Sequence, residues 1–146
     1  MPTGISVLDG ATQQANIWID EVDQAAHCSD RQRAYRLLRA TLHTLRDWVN
    51  ADQAADLGAQ LPVLIRGVYY EGWDPSGTPK HPHGKEDFIA SVQLNFARDR
   101  LRNPDLEVGA VFSVLNRHVA AGQLDQMRNS LQKPLRAIWP EPRAGD

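Results

Sequence analysis

A single cysteine, Cys28, stands among 146 residues. No internal disulfide can close, and no thiolate metal cage can form. No apolar run approaches the ~18 residues that a membrane-spanning helix needs. The chain carries no Gly-rich phosphate loop, no HExxH and no GxSxG, so the commonest nucleotide-binding and hydrolytic machineries have no signature here. No stretch alternates apolar and polar residues as a half-buried strand does. Lysine is scarce, with three against thirteen arginines, and the net charge of -2 gives no global pull towards nucleic acid or acidic lipid. The opening MPTGISVLDGATQQ lacks the basic start and apolar stretch of a signal peptide. These absences lead to the expectation of a soluble, cytoplasmic protein without a membrane contact or a cofactor.

What the chain does have is helical spacing. From Thr12 to Ala26, Ala15, Trp18, Val22 and Ala25 or Ala26 recur on one face, with Ile19 widening the stripe. Ser29 followed by Gln32 has the pattern of a capping box. In the helix that it opens, Tyr35, Leu38, Leu42, Leu45 and Val49 form a narrow apolar seam. The other side of that helix carries Arg33, Arg36, His43 and Asp47. Asn50 with Gln53 reads as a further cap, and Pro62 suits the first turn of a helix that Gly72 stops. WDPSGTPKHPHG, from Trp73 to Gly84, has three prolines and two glycines in twelve residues and reads as a loop. Helices resume at Lys85, after the cap and proline of Asn103–Pro104, around Leu124 and Met127, and from Pro134 to Trp139.

The chain also resembles itself. Shifted by seventy residues, Ala40, Leu45, Val49, Ala51, Gln53, Leu61 and Arg66 meet identical residues at 110, 115, 119, 121, 123, 131 and 136. Seven identities in thirty pairs exceed the roughly two that chance gives at average composition. Upstream, Trp18, Ile19 and Val22 meet Phe88, Ile89 and Val92. The expectation is an internally duplicated, all-α bundle of about eight helices. Residues 1–146 would form a single compact domain. A first half at 10–73, a linker loop at 74–84 and a second half at 85–140 would be related by pseudo-symmetry. Half of the chain alone has a marginal core.

The stretches RAYRLLRATLHTLRD, GAQLPVLIRGVYYEGWDP, EDFIASV and VLNRHVAAGQLDQMRNSLQKPLRAIW resemble the bacterial "domain of unknown function 2267" family over nearly the whole chain. LPVLIRGVYYEGW is the most specific part. The resemblance implies a duplicated helical fold in a bacterium and brings no catalytic residues. One departure is KHPHGK after GWDPSGTP, where basic or mixed polar residues are expected, so that a metal role there would be particular to this protein.

Four sets of residues could carry chemistry. His81 and His83 could hold a metal if Glu86 or Asp87 closed the shell, although alternation about a proline more often sends the two rings apart. Tyr69 continues the apolar face of its helix and belongs in the core. Tyr70 points about 100° away from it and, with Glu71 and Trp73, could line a groove for a partner. Arg31, Arg33, Arg36, Arg39 and Arg46 could follow phosphates, but nearby Asp30, Asp47, Asp52 and Asp56 favour a solvated, salt-bridged face. Arg66 and Arg136 read as repeat-matched anchors for helix ends. The reading that results is a non-catalytic interaction or regulatory module with a protein partner or a second copy of itself. The alternatives are a ligand- or metal-binding protein using the 81–87 loop, and weak nucleic-acid binding through the arginine face.

Overall fold

A computed structural model describes residues 2–79, 84–96, 99–131 and 136–139. Among them every regular element is helical. A one-turn helix, Ser6–Asp9, precedes seven longer ones: α1 (Ala11–Ala26), α2 (Arg31–Trp48), α3 (Ala51–Ala59), α4 (Val63–Tyr70), α5 (Lys85–Asn95), α6 (Pro104–His118) and α7 (Ala121–Ser130). A 3-10 turn, Pro75–Gly77, lies between α4 and α5. The all-α expectation holds, with seven helices in place of about eight. The eighth, expected from Pro134 to Trp139, starts outside the described residues, and its described part, 136–139, is largely turn. Among the described residues no helix is long and apolar enough to cross a membrane.

The helix boundaries follow from local chemistry. α1 stops where His27 turns left-handed at φ 54°, and Ser29 repeats the turn at φ 53°. Ser29 is therefore not the cap of α2. Asp30 has the extended backbone that a cap needs, and its carboxylate accepts from the N–H groups of Gln32 and Arg33 at 3.0 and 3.3 Å. A carboxylate there also answers the positive end of the helix dipole. The expected capping box of Asn50 and Gln53 is present. Pro104 opens α6, but Asn103 makes no side-chain cap. Glu107, one turn inside, accepts instead from the backbone N–H groups of Arg102 and Asn103 at 2.9 and 3.2 Å.

α2 is the central rod. It packs against α1, α4, α5 and α6, while α1 also runs along α6. Leu37, Leu38, Leu42 and Leu45 are sealed from solvent, whereas Tyr35, expected in the seam, is 37% exposed. The apolar surface of α2 is therefore a wide belt, because neighbours meet it on several sides. Two aromatic contacts join distant parts of the chain. Trp18 of α1 stacks on His118 of α6, and Trp48 of α2 meets Phe88 of α5 edge-on. Tyr69 is fully buried, as expected, and its hydroxyl donates to the Ala54 carbonyl at 2.7 Å.

Between α3 and α7 a single side chain joins two helix ends. Gln60 accepts from the Ala120 N–H and donates to Gln123 Oε1, both at 2.9 Å. Ala120 has no side chain able to cap α7. Gln60, from sixty residues upstream, answers the amide that Gln53 answers on Asn50 at the start of α3.

Candidate functional site

The C-terminal end of α4 gathers the residues that the sequence marks for a groove. The helix stops at Tyr70, Glu71 is its cap, and Gly72 takes φ 75°, a conformation that glycine reaches without strain. That turn brings Trp73 back. Its backbone N–H donates to the Tyr70 carbonyl at 3.0 Å, and its ring lies 5.3 Å from that of Tyr70. Both rings are half-buried against the core edge. Tyr70 in turn lies edge-on to Tyr69 at 5.0 Å and rests over Gly58 of α3, where a β-carbon would overlap the Tyr70 hydroxyl. Glu71 is exposed and pairs with Arg39 at 3.2 Å. Trp73 Nε1 is buried and has no hydrogen-bond acceptor among the described residues.

α2 clasps this helix end from beneath. Arg39, His43 and Arg46 recur at steps of four and three and so share one face. His43 Nε2 donates to the Val68 carbonyl at 2.6 Å. Arg46 Nη1 donates to the carbonyls of Tyr69 and Glu71 at 2.8 and 2.9 Å, and its Nε donates to Asp47. These donors answer the carbonyls that a helix C-terminus leaves unpaired. Burial pushes the pKa of His43 below its ordinary value, the Val68 bond opposes that shift, and Arg46 and Arg39 add to it.

The arginine face is salt-bridged, but much of it is not solvated. Arg33 is 1% exposed. Its guanidinium lies 2.7 Å from Glu107 and 2.8 Å from Asp99, donates to the Arg100 carbonyl, and sits 4.9 Å above the Phe96 ring. Arg46 and His43 are each 5% exposed. Arg31 pairs with Asp20, and Arg36 with Asp99 at 3.0 Å. The acids come mostly from elsewhere in the chain, and of the four named from sequence only Asp47 serves, on Arg46. Charged groups enter this core because each meets an acid or a helix-end carbonyl, the condition under which burial is tolerated. Arg66 takes the expected anchoring role, donating to the carbonyls of Gly58, Ala59 and Leu61 at the end of α3.

Of the sequence candidates, then, the fold brings Tyr70 and Trp73 together and ties Glu71 to α2. His81 and His83 lie outside the described residues. Among the described residues no group of three or more His, Cys, Asp or Glu is placed to hold a metal ion. Reading the sequence missed the Arg33–Glu107 pair, whose members lie seventy-four residues apart with no local signal. It also missed the clasp on α4, although the spacing of Arg39, His43 and Arg46 was visible. Cys28 is buried, and burial raises its thiol pKa, which makes it a poor nucleophile.

No curated protein matches this sequence. One family does, over residues 15–138, a span that holds the hydrogen bonds, ion pairs and ring contacts described above. The chain belongs to that family, the uncharacterized conserved proteins DUF2267.

Proposed function

We propose that this protein is a non-catalytic interaction module that offers the Tyr70–Trp73 face to a protein partner. The observation that carries this reading is the Trp73 indole N–H. It is buried, with no acceptor among the described residues, on a ring that is itself half-exposed. Buried donors are almost always answered. Tryptophan is a common anchor of protein interfaces, and the half-exposed ring of Trp73 has its solvent-facing edge open to a partner while the buried N–H stays unanswered within the described residues. The ionisable groups nearby are already engaged: Arg39 with Glu71, Arg46 with Asp47 and three carbonyls' worth of helix end shared with His43. That arrangement suits a binding platform better than catalytic proton transfer.

We further infer that the platform belongs to a duplicated unit. Trp18 and Phe88 stand seventy residues apart, as do Trp48 and His118, and the contacts Trp18–His118 and Phe88–Trp48 correspond under that shift.

Comparative capture tests the interaction reading. Wild-type protein and Trp73→Ala are each used as bait against extract from the source cells, with circular dichroism checking the fold. A protein retained by wild type and lost from the variant supports the reading. Identical retention profiles overturn it.

A further inference from the structure

We propose that His43 is an acid-responsive catch on the Tyr70–Trp73 face: gaining a proton, it releases the end of α4 and uncovers the two aromatic rings. This rests on the interaction reading above and names how that site would be regulated.

The geometry is that of a clasp with one titratable finger. Arg39, His43 and Arg46 of α2 hold the last turn of α4. Val68 presents a carbonyl, which can only accept, so Nε2 of His43 carries the hydrogen and the neutral ring leaves Nδ1 bare. The charged groups around it are Arg46, Arg39 and Asp47 on its own helix, with the Glu71 carboxylate beyond Arg39. α4 faces it with the Val68 carbonyl, and α5 brings the uncharged Asn95 amide to neighbouring Thr44. A second proton at Nδ1 would therefore put a third cation between half-exposed Arg39 and buried Arg46, where Asp47 already serves Arg46. Swinging the ring to water relieves this, at the expense of the Val68 bond. Tyr70 lies two residues and Trp73 five beyond that carbonyl, and the turn carries both rings once the Arg46 bonds to the Tyr69 and Glu71 carbonyls loosen with it.

The sign follows from linkage. Burial lowers the pKa of His43 in the closed form, while the ring reaching water regains its ordinary value near 6.5. The open form thus binds the proton more readily, and opening gains ground as pH falls below that value. Above it the catch is closed.

The test uses the full chain and iodide quenching of tryptophan. Trp18, Trp48 and Trp139 are buried, which leaves Trp73 as the quencher's main target. Taking wild type from about pH 7.5 to about pH 5 should raise its quenching constant. Trp73→Phe should remove that rise. His43→Gln, which keeps a donor for Val68 but does not titrate, should abolish it. An equal rise in His43→Gln, or none in wild type, overturns the catch. Should His43→Gln fail to fold, the imidazole resonance of His43 in wild type replaces it. A midpoint shared with the quenching curve supports the proposal, and a different midpoint overturns it. The experiment needs no partner, so a catch that works alongside a failed capture would sink only the interaction reading.

Discussion

Trp18 stacks on His118 with ring centroids 4.8 Å apart and planes inclined by 22°. The corresponding contact seventy residues away, Phe88 on Trp48, spans 4.9 Å but meets edge-on at 82°. Each contact joins a helix from the N-terminal part of the chain to one from the C-terminal part. Trp18→Ala or Phe88→Ala should therefore each remove about 3–5 kcal/mol of stability. Unfolding should remain one transition, with fluorescence and circular dichroism coincident. Two separated transitions in urea would show that the parts fold independently.

Arg33 and Glu107 form a pair that water does not reach, with side chains 1% and 4% exposed. Arg33→Met should cost about 3–5 kcal/mol, because it leaves the buried Glu107 carboxylate without its cation. Adding Glu107→Gln should recover part of that loss, since an amide oxygen can still accept from the Arg102 and Asn103 N–H groups without a charge. Chemical denaturation of the two variants decides the matter. A double variant less stable than Arg33→Met would mean that the carboxylate matters chiefly as the helix cap.

Gln60 answers the Ala120 amide. Gln60→Ala should cost about 0.5–1.5 kcal/mol. It should also speed hydrogen exchange at Ala120 and the first turn of α7 more than at α3. Uniform exchange across both helices would count against the bridge.

Gly109 lies where α6 passes the C-terminal turn. A β-carbon there would sit 2.8 Å from the Ile138 carbonyl oxygen, which is backbone and yields poorly. Gly109→Ala should cost about 1–3 kcal/mol and loosen Trp139, whose ring stacks on Phe112 at 4.3 Å. Rising tryptophan quenching in that variant is the expected readout, and unchanged quenching with unchanged stability would refute it.

The apolar rhythm placed most of the helices, because three- and four-residue spacing is a local property. It placed Tyr69 in the core because Tyr69 continues the apolar face of its helix. It misjudged α2. A helix met on several sides buries more than one stripe, and the surplus positions were polar: Arg33, His43, Thr44 and Arg46. Their partners lie from one residue away to seventy-four, and only the fold says which arginine meets Glu107 and which meets solvent. The Ser29–Gln32 spacing points one residue too early for the cap, because sequence does not reveal the left-handed φ of Ser29. The face of Tyr70 and Trp73 was legible as aromatic residues beside a glycine turn. The clasp beneath it was not recognised, since nothing local says that α2 and the end of α4 meet.

The packing of α1 on α6, and of α2 on α5, leaves neither end of the chain with its own complete core. What joins them covalently is the stretch around Pro75–Gly77, a short turn whose residues are exposed. Cut there, the protein becomes two reagents instead of two domains. Each piece should be largely unstructured alone, and mixing should restore helicity with a dependence on concentration that the intact chain lacks. The connection acts as a tether that sets an effective concentration, and the specificity of assembly resides in the rings and buried charges that the two pieces hold out to each other.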